Sequence, residues 1–296
     1  MPNDRSLHVT PVPRIGGAAI WAGWLAAWLV APGSGSWLVP IGCVLLISLI
    51  DDWRGLPAAL RLTFHLGAAL AVSAPYHDVL TLSGATVTVF DAMVIVWMAN
   101  LYNFMDGADG LAGGTGAIGF GAYGIALWLA GAPGLATLCA ALAVSCAAFL
   151  VFNTPPARLF MGDVGAVGLG FVAGLIGLHG YSQDLWAWWF PPLVFLPFIA
   201  DSTSTLIRRW HRGESPARAH RDHFYQRAIL LDGSHQRTLL TYMGWATACG
   251  IAAVLCQRAW PEIGAAVLVA AAAAFAWYCR SIDRRWAGYR DPRHAG

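Results

Sequence analysis

Ten apolar runs, none carrying an Asp, Glu, Lys or Arg side chain and none longer than nineteen residues, divide this chain at 16–31, 37–50, 62–76, 92–101, 111–129, 134–152, 164–178, 185–199, 239–255 and 263–278. The 296 residues include 34 charged ones, 18 basic and 16 acidic, where a water-soluble domain carries roughly one in four. So little charge cannot clothe a soluble surface. Nucleic-acid-binding, disordered, fibrous and disulfide-rich classes fall by the same count. The expected fold is all-α: a polytopic integral membrane protein of about ten transmembrane helices. Several runs are shorter than the roughly 20 residues of a perpendicular span, so their ends are expected to extend into polar sequence or to break within the bundle. The expected layout is one membrane-embedded domain over 1–296, with a long Arg/His loop at 202–237 and a basic tail at 280–296. No internal repeat is evident, and no cleavable leader pattern precedes the first run.

Every basic residue is Arg. With the amino terminus in the cytoplasm, seventeen of the eighteen fall on that side and Arg258 alone on the other. The positive-inside rule then predicts cytoplasmic termini. On the outer side, alternation over 81–89 suggests a small hairpin around Ser83-Gly84. Trp186, Trp188 and Trp189 read as an interfacial aromatic belt. Pro191, Pro192 and Pro197 should kink or interrupt the eighth run. The six cysteines lie in or beside apolar sequence without metal or disulfide spacing and read as small core residues.

Twelve of the sixteen acidic residues share the Arg-rich face; only Asp78, Asp91, Asp184 and Glu262 lie opposite. Carboxylates at helix ends near the acyl region are expensive, so a functional site is expected on the cytoplasmic face. Asp51-Asp52 closes the second run. Adjacent carboxylates suit a divalent ion or proton exchange, and equally a charge cluster tied to Arg54 and Arg61. In the next loop, three-residue steps place Asn100, Asn103, Asp106 and Asp109 on one flank of a helix end, with glycines that let a ligand approach. Amides and carboxylates there could read a nucleobase or ribose, or ligate Mg²⁺. A third loop runs from Asn153 through Arg158 to Asp163, which opens the seventh run; alone, Asp163 reads as a helix cap. The Arg/His loop suits either lipid headgroups or a grip on phosphates. His220 and His223 lack the further ligands a zinc site requires.

In order along the chain, His8-Val9-Thr10-Pro11-Val12-Pro13-Arg14-Ile15-Gly16-Gly17, Asp51-Asp52, Asn103-Phe104-Met105-Asp106-Gly107-Ala108-Asp109-Gly110-Leu111, Phe160-Met161-Gly162-Asp163-Val164-Gly165 and Ala219-His220-Arg221-Asp222-His223 resemble the polyprenyl-phosphate N-acetylhexosamine-1-phosphate transferases. The Ala-His-Arg-x-His form is most similar to the O-antigen-type branch. The resemblance implies transfer of a sugar-1-phosphate from a UDP-N-acetyl sugar to undecaprenyl phosphate, dependent on Mg²⁺ (or Mn²⁺), with release of UMP. It implies Asp163 as metal ligand with Asp106 close by. Asn103, Asp106, Asp109 and Asn153 would line the nucleotide-sugar pocket, and Arg218, His220 and His223 would contact phosphate or sugar. Arg158 stands where relatives often carry Lys. Asp51 and Asp52 would lie near the lipid phosphate, Asp52 assisting acceptor binding or proton removal. The likeness also implies a bacterial inner-membrane location, no nucleic-acid partner, a homodimer by analogy with the peptidoglycan branch, and a further span before residue 8. A proton- or ion-coupled transporter is the alternative class, opposed by the lack of mid-span charge or an inverted repeat.

Overall fold

The computed structural model describes residues 12–30, 35–215 and 220–289. They form α1 (Gly16–Val30), α2 (Leu38–Arg54), α3 (Ala58–Ser73), α4 (Leu82–Met105), α5 (Leu111–Leu129), α6 (Pro133–Asn153), α7 (Gly162–Ser182), α8 (Phe190–Val194), α9 (Leu196–His211), α10 (Phe224–Asp232), α11 (His235–Ala259) and α12 (Gly264–Trp286), and among the described residues no strand. Each of the ten apolar runs lies wholly or mostly on helix. Six stretches have the length and apolarity to cross a membrane: Ala58–Tyr76, Leu82–Met105, Pro133–Asn153, Gly162–Ser182, His235–Ala259 and Pro261–Trp286. The expected count of about ten is not met by that criterion. The helices α1, α2 and α9 have only 15, 17 and 16 residues, and six glycines dilute α5. Leu46, Leu49, Val144, Val151, Ile251, Leu255, Val269 and Trp277 face outward, an apolar exterior on a scale that water does not tolerate. The protein is an all-helical, multi-pass membrane protein.

Helix α7 is the hub. Protein encloses 83% of its span, against 17–33% for the other five. Close approach is possible because its faces carry little side chain: a Cβ on Gly170 would lie 2.7 Å from Ala99 Cα of α4, and one on Gly165 would lie 2.8 Å from Gly17 Cα of α1. Small residues supply helix association in lipid, where burying apolar surface gains nothing. Trp21 of α1 adds a hydrogen bond from Nε1 to the Val164 carbonyl at 2.9 Å.

Several local expectations change. The segment 81–89 is no hairpin but the start of α4. Thr81 Oγ1 accepts from Gly84 N–H at 3.1 Å, and the hydroxyls of Thr86 and Thr88 donate to Leu82 and Gly84 carbonyls one turn back, so the β-branched residues are absorbed by a helix. Trp186 and Trp189 are buried, and only Trp188 is exposed; Trp186 stacks on Phe190 at 4.9 Å and packs on Gly180, so this stretch is core rather than belt. Five cysteines are buried as expected, but Cys43 is exposed. The stretch 202–237 is largely helical, taken up by α9, α10 and the start of α11, and α12 runs through to Trp286, so loop and tail are both shorter than expected. The eighth run does break: α8 and α9 meet at Phe195, with prolines in the first turn of each.

Candidate active site

The α2–α3, α4–α5 and α6–α7 connections meet at one end of the bundle. Asp52 settles on the amino terminus of α7, its two carboxylate oxygens accepting from Asp163 N–H and Val164 N–H at 3.0 Å each. The cap therefore comes from another helix. Asp163, which alone reads as a cap and by resemblance as a metal ligand, makes no capping bond and turns its side chain to Arg61 Nη1 at 2.9 Å. Gly162 makes this possible, with φ of 74° and room for no Cβ, which would sit 2.7 Å from Asp52 Oδ2. Asp51 bonds Arg61 as well and accepts from Leu56 N–H at 2.6 Å. Arg54 instead lies over its neighbour Trp53, 5.1 Å from the ring centre. Of the two arginines set against the acidic pair, the structure keeps Arg61.

The Asn100–Asp109 ladder divides by role. Asn100 Nδ2 donates back into α4, to Val96 O at 2.8 Å. Asn103 and Asp106 are half-buried, and among the described residues no side chain hydrogen-bonds to the Asp106 carboxylate. Asp106 sits just beyond the end of α4. Burial pushes its carboxyl well above the ordinary range, and the charges of Asp163, Asp52 and Asp109 push the same way against Arg14. Asp109 is buried, accepts from Ala157 N–H at 3.0 Å and lies 3.7 Å from His235 Nδ1. Asn153, also buried, accepts from Gly110 N–H at 2.9 Å and donates to Leu159 O at 2.8 Å. These two residues pin the α6–α7 loop to the α4–α5 turn rather than line open space. Arg158 is exposed, donating to Val151 O at 3.0 Å and lying over Phe152 at 5.5 Å, so it does not join the carboxylates. Arg218 lies outside the described residues.

On the other side of the turn stands α10. Tyr225 Oη donates to Phe104 O at 3.0 Å, and a Cβ on Gly107 would collide with that hydroxyl at 2.1 Å. His223 is buried between Phe104 and Tyr225, at ring distances of 6.0 and 5.7 Å, with His220 at 5.0 Å. Much of the Arg-rich segment is committed to carboxylates. Arg209 pairs with Asp222 and with Glu214 at 2.7 Å, and Asp283 of α12 takes Arg208 at 2.8 Å and Arg227 at 3.0 Å. Although burial works the other way, the hydrogen bond from Arg209 and the charge of Arg227 hold the Asp222 carboxyl below its usual range.

Asp163 and Asp106 thus gather with Asp51, Asp52 and Arg61, and His223 reaches the same α4–α5 turn at Phe104. Among the described residues no three His, Cys, Asp or Glu side chains are placed to hold a metal, so no closed protein cage exists here. Two carboxylates in mutual electrostatic range fit Mg²⁺ in its open mode, in which water and substrate phosphates complete the octahedron. Two participants escaped the sequence reading as site members. Asp201 stands two residues beyond the eighth apolar run and is fully buried; a carboxylate at that position is the signal that could have found it. His235, on Asp109, carries no local signal.

The structure is an all-helical membrane bundle that gathers carboxylates and an arginine at one end. The sequence profile of glycosyl transferase family 4 matches residues 35–181. The decaprenyl-phosphate N-acetylglucosaminephosphotransferases of Mycobacterium leprae and Mycolicibacterium smegmatis are 30% and 29% identical, each over 82% of this chain and over 73% and 71% of the relative. A probable undecaprenyl-phosphate N-acetylglucosaminyl 1-phosphate transferase of Bacillus subtilis is 26% identical over 81% of this chain and 72% of its own length. The chain belongs to glycosyl transferase family 4 and is a phosphotransferase enzyme.

Proposed function

We propose that this enzyme transfers an N-acetylated sugar-1-phosphate from a UDP-sugar to undecaprenyl phosphate, on the cytoplasmic face of a bacterial inner membrane, opening the synthesis of O-antigen or another envelope polysaccharide. An oxygen of the lipid monophosphate attacks the sugar-linked phosphorus, the bond to UMP breaks, and a lipid diphosphate-sugar forms. The observation that carries this reading is the grouping of Asp106 and Asp163 with Arg61 at the α7 amino terminus. Such a reaction asks for positioning and charge neutralisation more than for a protein nucleophile.

Mg²⁺, held by Asp163 and Asp106, would neutralise diphosphate charge. Asn103 lies beside Asp106, where an amide can read the nucleotide-sugar. Arg61, between Asp51 and Asp163, is suited to the acceptor phosphate. Asp52 spends both oxygens on backbone amides, which argues for positioning Asp163 over acting as a base. The acceptor needs no base, because a phosphate monoester with second pKa of about 6 is mostly dianionic near neutrality. The polar end also favours cytoplasmic orientation through the positive-inside rule, with α1, α2, α5 and α8–α9 completing the ten crossings.

The test is UMP release from a panel of UDP-N-acetyl sugars with undecaprenyl phosphate and Mg²⁺, beginning with UDP-N-acetylglucosamine because the relatives named above use N-acetylglucosamine. Asp163→Asn and Asp106→Asn are each expected to cost at least about 10²-fold in kcat. No turnover across the panel overturns the reading, and a phospho-enzyme trapped before lipid is added overturns direct attack.

A further inference from the structure

Among the described residues, Asp201 of α9 accepts more hydrogen bonds than any other carboxylate. It is fully buried and accepts five hydrogen bonds. His223 Nδ1 at 3.3 Å, Phe224 N–H at 3.0 Å and Thr205 Oγ1 at 3.4 Å reach Oδ1; Tyr225 N–H at 3.0 Å and Tyr242 Oη at 2.5 Å reach Oδ2. One side chain thereby ties α9, α10 and α11 together. The carboxylate only accepts, so this contact is a hydrogen bond in the form of His223 that carries a proton on Nδ1, and the His223 side chain also accepts from Gln226 N–H in a capping box. His223 lies against Phe104, and Tyr225, held through its backbone by the same carboxylate, bonds the Phe104 carbonyl. Phe104 lies between Asn103 and Asp106.

We propose that Asp201, assisted by Tyr242, is a positioning residue for the transfer reaction. It holds His223 in one ring orientation against Phe104 and seats α10 on the turn that carries Asn103 and Asp106. A generic core carboxylate would be coupled to folding alone. This one is coupled to a histidine and to a turn at the reacting end. The inference rests on the function proposed above for its kinetic readout, though not for its spectroscopic one.

The experiment is a double-mutant cycle with Asp201→Asn and His223→Gln, assayed with whichever donor the wild type turns over. Asp201→Asn keeps the shape and one of the two acceptor oxygens; with that oxygen kept on Tyr225 N–H and Tyr242, NH₂ replaces the one that faces His223, Thr205 and Phe224 N–H. It is expected to lower kcat about 10²-fold, the usual effect of removing an orienting partner, with KM within about threefold. In the His223→Gln background the same change should cost less than about threefold, since the effect runs through His223. Equal losses in both backgrounds would reduce Asp201 to a fold-stabilising role and overturn the proposal. If Asp201→Asn does not yield a monodisperse protein, Tyr242→Phe takes its place in the same cycle, with an expected loss of about tenfold. Independently of turnover, histidine-selective ¹⁵N spectra, assigned through His223→Gln, should show neutral His223 protonated at Nδ1 in the wild type and redistributed toward Nε2 in Asp201→Asn. An Nε2-protonated wild type refutes the proposal even if the reaction is confirmed. If no donor is turned over, the proposed function fails while this spectrum still decides the role of Asp201.

Discussion

Asp52 and Asp163 exchange the parts that their positions in the chain suggest. The residue at the start of α7 does not cap it; a residue 111 positions earlier does. Asn caps a helix about as well as Asp, whereas Ala forfeits roughly 1 kcal/mol. Asp52→Asn is therefore expected to retain activity within about tenfold, and Asp52→Ala to lower the unfolding midpoint in detergent. A general base would show the reverse, since Asn cannot take a proton and general-base loss costs about 10²–10⁴-fold. Asp106 supplies a second prediction. Its carboxyl is raised by burial and by neighbouring acids, so the folded state holds that proton more tightly than the unfolded chain. Stability from this group is present at low pH and is lost as pH rises toward the raised value. In EDTA, thermal stability should fall from pH 5 to pH 8, and Mg²⁺ should restore more of it at the upper end. A midpoint that ignores Mg²⁺ at pH 8 would speak against a metal at Asp106.

At the scale of elements, periodicity and turn chemistry located the helices but not their company. The ten apolar runs and the break at Phe195 were readable because hydrophobicity and proline act locally. The start of α4 was not, because Thr86 and Thr88 alternate like strand residues until their hydroxyls find carbonyls one turn back. The motif loops were readable as one site through shared charge placement. The roles of Asp109, Asn153 and Asp201 were not, since their partners lie as many as 126 residues away. For α7 the consequence is direct. Gly170→Leu would drive a side chain into Met98 O and Ala99 Cα, at 2.6 and 2.7 Å from the Cβ alone. It is expected to cost at least about 1–3 kcal/mol of stability, read as loss of monodisperse protein. Val269→Ala on the outer face of α12, 68% exposed, should stay within about 0.5 kcal/mol.

For the whole molecule, the proposed orientation makes a labelling prediction. Arg212→Cys, introduced into a variant lacking the native cysteines, should resist a membrane-impermeant maleimide in intact cells and react after lysis. Arg258→Cys should react in both. Exchange of those two patterns would invert the protein and move the proposed site to the wrong side of its nucleotide substrate. In the unmodified protein a lipophilic maleimide should reach Cys43 first, because the other five thiols are buried.

The enclosure of α7 also says where this chain can be redrawn. A helix touched on all sides has no face left to vary, and the stretch matched to the family ends at residue 181, within its last turn. Helix α12, only 17% enclosed, is tethered to the rest of the polar end chiefly through Asp283 and Arg285. Fluorescent fusions, affinity tags or a swapped lipid-facing surface therefore belong beyond Trp286 or on the outer stripe of α12, where they leave the reacting end undisturbed.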